Sequence, residues 1–276
     1  MKVKAMPYMR LCRSLGKSLL YYISDPRNLF AAERIVASKD SINFVCLAEN
    51  LIERDILNCG VWSIKETKAL NRLLKPGSVV FDIGANIGYF TFLMSKLVGN
   101  NGQVHCFEPM DHAFKRLCFN MTLNPHLPLH NIRLHNKALS WCNSTSVECF
   151  ESQFSSRVLA HSESKMVDFI TLDDYFTDTL LDRLDFVKID VDGYDYNVVQ
   201  GGINVLRKYK PVVMAELCNR ALLERGSDVS KYVTLFLECG YRNCTLLAFD
   251  EVVPLEDLLR DPKFRGVVSG WDLLLS

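Results

Sequence analysis

The stretch Phe81-Asp-Ile-Gly-Ala-Asn-Ile-Gly-Tyr-Phe90 decides the fold of this chain. It follows a short apolar run, places Gly84 and Gly88 four residues apart, and continues into residues with helical spacing. A strand that ends in a tight glycine turn before a helix is a typical unit of an open α/β sheet, and glycine lets the backbone come close to a ligand. Asp82 adds a carboxylate at the carboxyl end of the strand. We therefore predict a ligand site at this turn.

Short apolar strands alternate with helical patterns from Lys75 onward, which predicts a parallel sheet with helices on both faces. Too few residues remain after Gly240 for another crossover helix, so the last two strands are predicted to pair antiparallel. The expected fold is α/β and Rossmann-like, with a mostly parallel seven-stranded sheet. The predicted strands are 78–81, 103–107, 132–135, 185–189, 211–215, 241–249 and 271–275.

An insertion from about residue 138 to residue 173 interrupts this alternation, with strand-like pieces at 146–150 and 166–170. Insertions at this point lie near the carboxyl ends of the strands, where loops form ligand pockets. Its polar side chains are candidates for substrate contact, although Asp and Ser in loops more often form turns. These candidates, with two residues that follow a later strand, are Ser155, Ser156, Arg157, His161, Thr171, Asp173, Asp174, Glu216 and Asn219.

Charge and cysteine content exclude several classes of protein. Thirty-two basic residues balance thirty-two acidic ones, so no general excess of positive charge is present to bind a nucleic-acid backbone. The longest apolar run, residues 19–23, is far shorter than the roughly 20 residues that cross a bilayer. Ten cysteines without a CxxC pair suit a reducing compartment, so we expect a cytoplasmic protein without a structural metal.

The first 27 residues differ from the rest, because they contain six basic residues against Asp25 alone. Apolar residues recur there at helical spacing, which predicts a basic amphipathic helix. It could cap the main domain, contact a membrane surface or a partner, or be a transit peptide. Residues 28–74 are predicted to form further helices, so 1–57 is expected to be a helical cap and 58–276 the cofactor-binding domain. The apolar stripe of the first helix is Leu11, Leu15, Leu19 and Tyr22.

A second acid follows the second strand, where Glu108 stands twenty-four residues beyond Gly84. A carboxylate there is placed to accept hydrogen bonds from a ribose diol. A dinucleotide site would have glycine where this chain has Asn86, and Asp82 would repel its phosphates. The two acids therefore favour S-adenosylmethionine as the cofactor. An NAD(P)-dependent oxidoreductase or epimerase, and a methyltransferase-like domain that binds without turnover, remain open.

Asp190 and Asp192 follow the strand that is predicted beside the first. Alternate residues of an extended chain share a face, so both carboxylates are expected to face the pocket. A hydroxyl acceptor benefits from a base within about 3 Å, which makes these two the catalytic candidates. One of them could instead cap the helix from Tyr194 or pair with Lys188. Four carboxylates could also hold a divalent cation, although we expect no metal: Asp190, Asp192, Asp195 and Glu216.

Four motifs occur in a characteristic order: Asp82-Ile-Gly-Ala-Asn-Ile-Gly-Tyr-Phe-Thr, Phe107-Glu-Pro, Ile170-Thr-Leu-Asp-Asp and Val187-Lys-Ile-Asp-Val-Asp-Gly. In this order and spacing they resemble the FkbM-type S-adenosylmethionine-dependent methyltransferases. The resemblance extends from about residue 58 to residue 216. It implies the class I methyltransferase fold and transfer of a methyl group to a hydroxyl of a small molecule, sugar or glycan.

The resemblance also implies roles for individual residues. Glu108 would bind the ribose, the turn from Asn136 to Ala138 the adenine, and Asp190 would border the methyl group. The family usually has Glu where this chain has Asp192, so that side chain is one methylene shorter here. The residues that would line the methionine end of the cofactor are Asp82, Gly84, Asn86 and Gly88.

Overall fold

The computed structural model describes residues 33–150, 164–266 and 270–276. The predicted amphipathic helix in residues 1–27 therefore lies outside the described residues. The same holds for four of the candidate substrate contacts, namely Ser155, Ser156, Arg157 and His161.

The described chain alternates strands and helices over most of its length. The strands are β1 (Arg34–Ala37), β2 (Asn43–Cys46), β3 (Val79–Ile83), β4 (Gln103–Phe107), β5 (Ile132–His135), β6 (Ala138–Leu139), β7 (Ser144–Phe150), β8 (Ser164–Ile170), β9 (Phe186–Ile189), β10 (Val212–Cys218), β11 (Asn243–Leu246), β12 (Glu251–Pro254) and β13 (Gly270–Leu275). The α-helices are α1 (Leu51–Cys59), α2 (Ile64–Leu73), α3 (Tyr89–Val98), α4 (Asp111–Thr122), α5 (Leu172–Asp178), α6 (Asp195–Gln200), α7 (Ile203–Tyr209), α8 (Asn219–Glu224), α9 (Val229–Cys239) and α10 (Asp257–Arg260).

The main sheet has the order β12-β11-β13-β10-β9-β3-β4-β5. The five strands from β10 to β5 are parallel, and β13 pairs antiparallel with both β10 and β11. The predicted α/β class and the antiparallel pairing near the end of the chain are confirmed. The sheet has one strand more than the seven predicted, because residues 251–254 add β12 at the edge of the sheet.

Helices cover both faces of this sheet, as predicted. Apolar residues of α5–α10 pack on one face, around Phe81 and Val187 of the central strands. Those of α1–α4 pack on the other face, around Val80 and Phe186. All five residues of β3 are buried, which is typical of a parallel strand covered on both sides. The carboxyl ends of β3, β4, β5 and β9 therefore meet at one edge between the two helical layers.

The insertion forms a small sheet of its own, with the order β6-β8-β7. β7 and β8 pair antiparallel and contain the strand-like pieces 146–150 and 166–170 that the sequence predicted. The short strand β6 pairs with the carboxyl end of β8, which ties the small sheet to the loop after β5. The insertion is therefore anchored beside the edge where the parallel strands end.

The prediction that residues 28–74 are helical is wrong for the segment 34–46, which forms a β-hairpin. Phe44 and Cys46 of this hairpin are fully buried in the same apolar layer as α3. Asn120 of α4 and Asn124, which follows that helix, satisfy its backbone: Asn124 Oδ1 accepts from Asn43 N at 2.7 Å, and Asn120 Oδ1 accepts from Val45 N at 2.9 Å. The hairpin thus depends on amides that lie far along the chain, which apolar spacing within 28–74 does not reveal.

We expect Asn120→Ala to destabilise the protein. The Asn120 side chain is fully buried, and its Nδ2 also donates to the carbonyl of Ile87 at 3.0 Å. Its loss leaves two buried backbone groups unpaired, at about 1 to 3 kcal/mol for each group. Chemical unfolding should therefore show a decrease of at least about 2 kcal/mol in the free energy of unfolding. Asn71→Ala, on the exposed side of α2, is the control. An equal decrease in the free energy of unfolding in both variants would contradict the role of Asn120 in anchoring the hairpin.

Candidate active site

The turn between β3 and α3 requires glycine. Gly84 and Gly88 have φ of +86° and +90°, and Asn86 between them is also left-handed at +49°. A Cβ atom on Gly84 would lie 1.9 Å from the carbonyl oxygen of Asp190. The amides of Gly84 and Ala85 both donate to the carbonyl of Phe107 at 3.0 Å. The turn is therefore packed tightly between the carboxyl ends of β4 and β9.

Asp82 lies beneath this turn and is 1% exposed. Its Oδ2 accepts a hydrogen bond from the Thr91 hydroxyl at 2.5 Å. Its Oδ1 is buried and has no hydrogen-bond partner among the described residues. Burial raises the pKa of Asp82, and the nearby charge of Lys188 opposes that rise. An unsatisfied buried carboxylate oxygen suits a ligand that brings its own cationic donor, such as the ammonium group of an amino acid.

Glu108 lies beside the glycine turn, as the sequence predicted. Its Oε2 accepts from Asn86 N at 2.9 Å, and its Oε1 accepts from Met110 N at 2.8 Å. Burial raises its pKa to about 7, although both backbone hydrogen bonds favour the charged form. Each carboxylate oxygen can accept a further hydrogen bond, so the group can still receive the hydroxyls of a ribose. Binding of the ribose by Glu108 stays a prediction.

The side chain of Asn136 is occupied within the protein. Its Nδ2 donates to the carbonyls of Glu108 and Pro109 at 2.9 and 3.1 Å, and its Oδ1 accepts from Lys165 Nζ at 2.9 Å. Lys165 also pairs with Asp111. These contacts tie the loop after β4 to the loop after β5 and to β8. Asn136 therefore shapes this part of the site, and its role toward adenine stays a prediction.

A cleft opens between Gly84 and the small sheet. Its lining is mostly apolar, as in most small-molecule sites. Ala138 lies on its wall, as the predicted adenine turn requires. Several further lining residues could not be predicted from the sequence, since their approach depends on the folding of the insertion and of the turn after β9. These residues are Pro109, Phe169, Val191 and Tyr194.

Asp190 and Asp192 are close together, but not for the reason that the sequence suggested. Regular strand structure ends at Ile189, and Asp192 has a left-handed φ of +51°, so the two residues are not on one face of an extended strand. Asp190 is about half exposed, and its Oδ2 accepts from Lys188 Nζ at 2.7 Å. The alternative in which one carboxylate pairs with Lys188 is therefore correct for Asp190.

Asp192 is in a different electrostatic environment. Burial raises its pKa to about 6, and the charge of Asp190 adds to this rise, whereas Arg225 and Lys188 oppose it. A carboxylate with this pKa is mostly ionised at neutral pH and is still basic enough to accept a proton. Asp192 therefore has a pKa that suits a general base.

The FkbM methyltransferase domain matches residues 82–243, which is more than half of the chain. The protein belongs to the FkbM methyltransferase family. The match begins at Asp82 of the glycine turn and includes the aspartate pair after β9. The α/β fold with a glycine turn at the end of β3 is therefore the frame of an FkbM domain.

Solved structures with similar folds include the methyltransferase FkbM from Methylobacillus flagellatus, at 15% identity and a TM-score of 0.47, covering 82% of this chain and 52% of that one. An S-adenosylmethionine-dependent O-methyltransferase from Thermotoga maritima has 14% identity and a TM-score of 0.45, covering 88% and 76%. TYW2 from M. jannaschii, in complex with AdoMet, has 15% identity and a TM-score of 0.44, covering 89% and 84%. This chain thus spans about half the length of the M. flagellatus protein. The comparison with curated proteins gave no significant match.

Further carboxylates surround the aspartate pair of this FkbM domain. Strand register places Glu216 of β10 directly opposite Asp272 of β13. Burial and the charge of Asp190 raise the pKa of Glu216 to about 8, and the same two causes raise that of Asp195 to about 7. Within the described ranges, no group of three or more His, Cys, Asp or Glu side chains has the arrangement of a metal site. No helix in those ranges is long and apolar enough to span a membrane.

The remaining candidate substrate contacts of the FkbM domain have structural partners. The Thr171 hydroxyl caps α5 by accepting from Asp174 N at 3.0 Å, and Asp173 accepts from Val205 N at 2.8 Å. Asn219 donates to the carbonyl of Arg265 at 2.7 Å and accepts from Val229 N at 3.2 Å. These side chains hold helix ends and loops in place, as the turn-forming alternative predicts.

Proposed function

We propose that this chain transfers the methyl group of S-adenosylmethionine to a hydroxyl group of a small molecule, sugar or glycan. The observation that carries the proposal is the position of the Asp190–Asp192 pair, which follows β9 and touches the glycine turn through the Asp190 carbonyl. A basic carboxylate beside a cofactor turn is what a hydroxyl acceptor needs, because the alcohol must lose its proton as the new C–O bond forms.

The site fits the cofactor in three respects. The unsatisfied Oδ1 of Asp82 suits its ammonium group, Glu108 is placed for its ribose, and the apolar cleft at Ala138 suits its adenine. S-adenosylmethionine supplies a methyl group on a sulfonium centre, which a nucleophile can displace when the two are aligned in a water-poor site. NAD fits less well, because Asn86 occupies the position of the middle glycine and Asp82 would repel a pyrophosphate.

In this proposal Asp192 accepts the proton of the acceptor hydroxyl. Its pKa of about 6 implies that activity is present above this pH and is lost as the pH falls and Asp192 becomes protonated. Asp190 lies beside it with a half-exposed carboxylate that pairs with Lys188.

The experiment that tests this function uses S-adenosylmethionine labelled in its methyl group and a panel of polyhydroxylated acceptors. Label should appear on an acceptor oxygen, as located by mass spectrometry of the product. Transfer to nitrogen or carbon, with none to oxygen, would contradict the hydroxyl assignment. The Asp192→Asn variant in the same assay separates enzymatic transfer from slow chemical methylation.

We also propose a cytoplasmic location. All nine cysteines in the described part of the chain are free, and six of them are buried, which suits a reducing compartment. The six are Cys46, Cys106, Cys118, Cys149, Cys239 and Cys244. Fractionation of cells that produce the tagged protein tests this location.

A further inference from the structure

Lys188 is a buried lysine in the middle of the sheet. It belongs to β9 and is 2% exposed. Lysine is almost never fully buried unless its ammonium group is paired. Here Nζ donates to Asp190 Oδ2 at 2.7 Å and lies 5.0 Å from the centre of the Phe90 ring. The ammonium group is therefore held between an aromatic face and the carboxylate at the end of its own strand.

Other carboxylates also surround this ammonium group. Asp82 is its direct cross-strand neighbour in the register of β3 with β9. Burial by itself would lower the pKa of Lys188, but the charges of Asp190, Asp82 and Glu66 outweigh burial and raise it. Asp272 of β13 also experiences the lysine charge. Lys188 is thus cationic at neutral pH, and its charge interacts with carboxylates from several elements of the fold.

We propose that Lys188 is a positioning residue of the methyl-transfer site, because its ammonium group forms an ion pair with Asp190 and leaves Asp192 as the carboxylate that accepts the proton. This inference rests on the proposed function of Asp192. Lys188 is buried beneath the turn, so it acts through Asp190 and touches neither the acceptor nor the reacting methyl group.

The division of roles follows from the charges that face Asp192. Two neighbouring carboxylates with similar surroundings would compete for one proton, whereas an ion pair on one of them assigns the proton to the other. Lys188 Nζ donates to Asp190 Oδ2 at 2.7 Å, and the charge of Asp190 raises the pKa of Asp192. The titratable and charged groups that interact with Asp192 are Asp190, Lys188, Arg225, Asp195 and Glu216.

The first test measures the pKa of Asp192 directly, by titration of its ¹³C-labelled carboxyl group with NMR, and needs no acceptor. Asp190→Asn removes the neighbouring anion and should lower this pKa by roughly one unit, since like charges at close range shift a pKa by about that much or more. Lys188→Met removes the opposing cation and should raise it. Lys188→Arg keeps the charge and should restore a value near 6. Lys68→Met, on the exposed side of α2, is the control for loss of one positive charge.

Two outcomes overturn the positioning role. One is an Asp192 pKa that is the same in the wild type, Lys188→Met and Asp190→Asn. The other is a Lys188→Arg variant that titrates like Lys188→Met. Should Lys188→Met fail to fold, Asp190→Asn still tests the same pair from its half-exposed side.

The second test is kinetic and separates this inference from the proposed function. The acidic limb of the kcat profile should move to lower pH in Asp190→Asn and to higher pH in Lys188→Met, in step with the NMR titration. Full activity of Asp192→Asn would refute the base assignment, whatever the titrations show. A different result would refute only the role of Lys188: Asp192→Asn loses activity, but the acidic limb of the kcat profile stays at the same pH in Asp190→Asn and Lys188→Met.

Discussion

Replacing Asp192 with asparagine should lower kcat by about 10²- to 10⁴-fold, the usual contribution of a general base. The dissociation constant of S-adenosylhomocysteine should stay nearly unchanged, because the cofactor contacts proposed for Asp82, Glu108 and the cleft do not involve this side chain. Asparagine is close to aspartate in shape, so the substitution removes charge and basicity with little change in packing. Initial rates with saturating cofactor and calorimetric titration with S-adenosylhomocysteine provide the two measurements.

The control for this variant is Asp178→Asn, which removes an exposed carboxylate at the end of α5 and should leave the rate unchanged. Asp190→Asn should have a smaller effect than Asp192→Asn at neutral pH, since Asp190 acts on the charge of its neighbour. Full activity in both single variants at the aspartate pair would show that alignment and exclusion of water suffice for transfer. Loss of activity on treatment with a chelator would instead indicate a metal at these carboxylates.

Gly84→Ala should have the largest effect on stability. Its φ of +86° costs an alanine about 1 to 2 kcal/mol. The new Cβ would also lie 1.9 Å from the backbone oxygen of Asp190, and such overpacking adds about 1 to 3 kcal/mol or more. We expect the free energy of unfolding to decrease by about 2 to 5 kcal/mol in total. Binding of S-adenosylhomocysteine should be lost as well, because the turn must move away from β9.

Gly77→Ala is a matched control, because Gly77 has a φ of +85° and no atom within 4 Å of its ideal Cβ position. The Gly77→Ala variant therefore has the unfavourable positive φ but no steric clash. Urea unfolding of the two variants should show the larger loss for Gly84→Ala. Equal losses, with cofactor binding intact in both, would mean that the turn does not need its close contact with Asp190.

Much of the fold could be predicted because its signals are local. The central strands are buried on both faces, so each appears in the sequence as a short apolar run, and β4 and β5 begin and end where the sequence indicates. The hairpin of β1 and β2 was not predicted because its backbone groups are satisfied by Asn120 of α4 and by Asn124, which follows that helix. Contacts between such distant segments leave no periodic pattern in the hairpin itself.

The site shows the same difference between local and distant signals. The glycine turn and Glu108 could be predicted because each directly follows a recognisable strand. The distinction between Asp190 and Asp192 could not, since it depends on the left-handed turn at Asp192 and on the burial of Lys188 against Phe90 of α3. The charges of Glu66 and Asp272 reach Lys188 only after the helices and the antiparallel strand have packed.

The most direct test of the central claim is thermal unfolding of the protein with S-adenosylhomocysteine and, separately, with NAD. Ligands that bind only the folded state raise Tm in proportion to the logarithm of their concentration above Kd. S-adenosylhomocysteine should raise Tm, and the rise should be lost in Asp82→Asn and Glu108→Gln combined, whereas NAD should leave Tm unchanged. Equal or greater stabilisation by NAD would contradict the assignment of this site to S-adenosylmethionine.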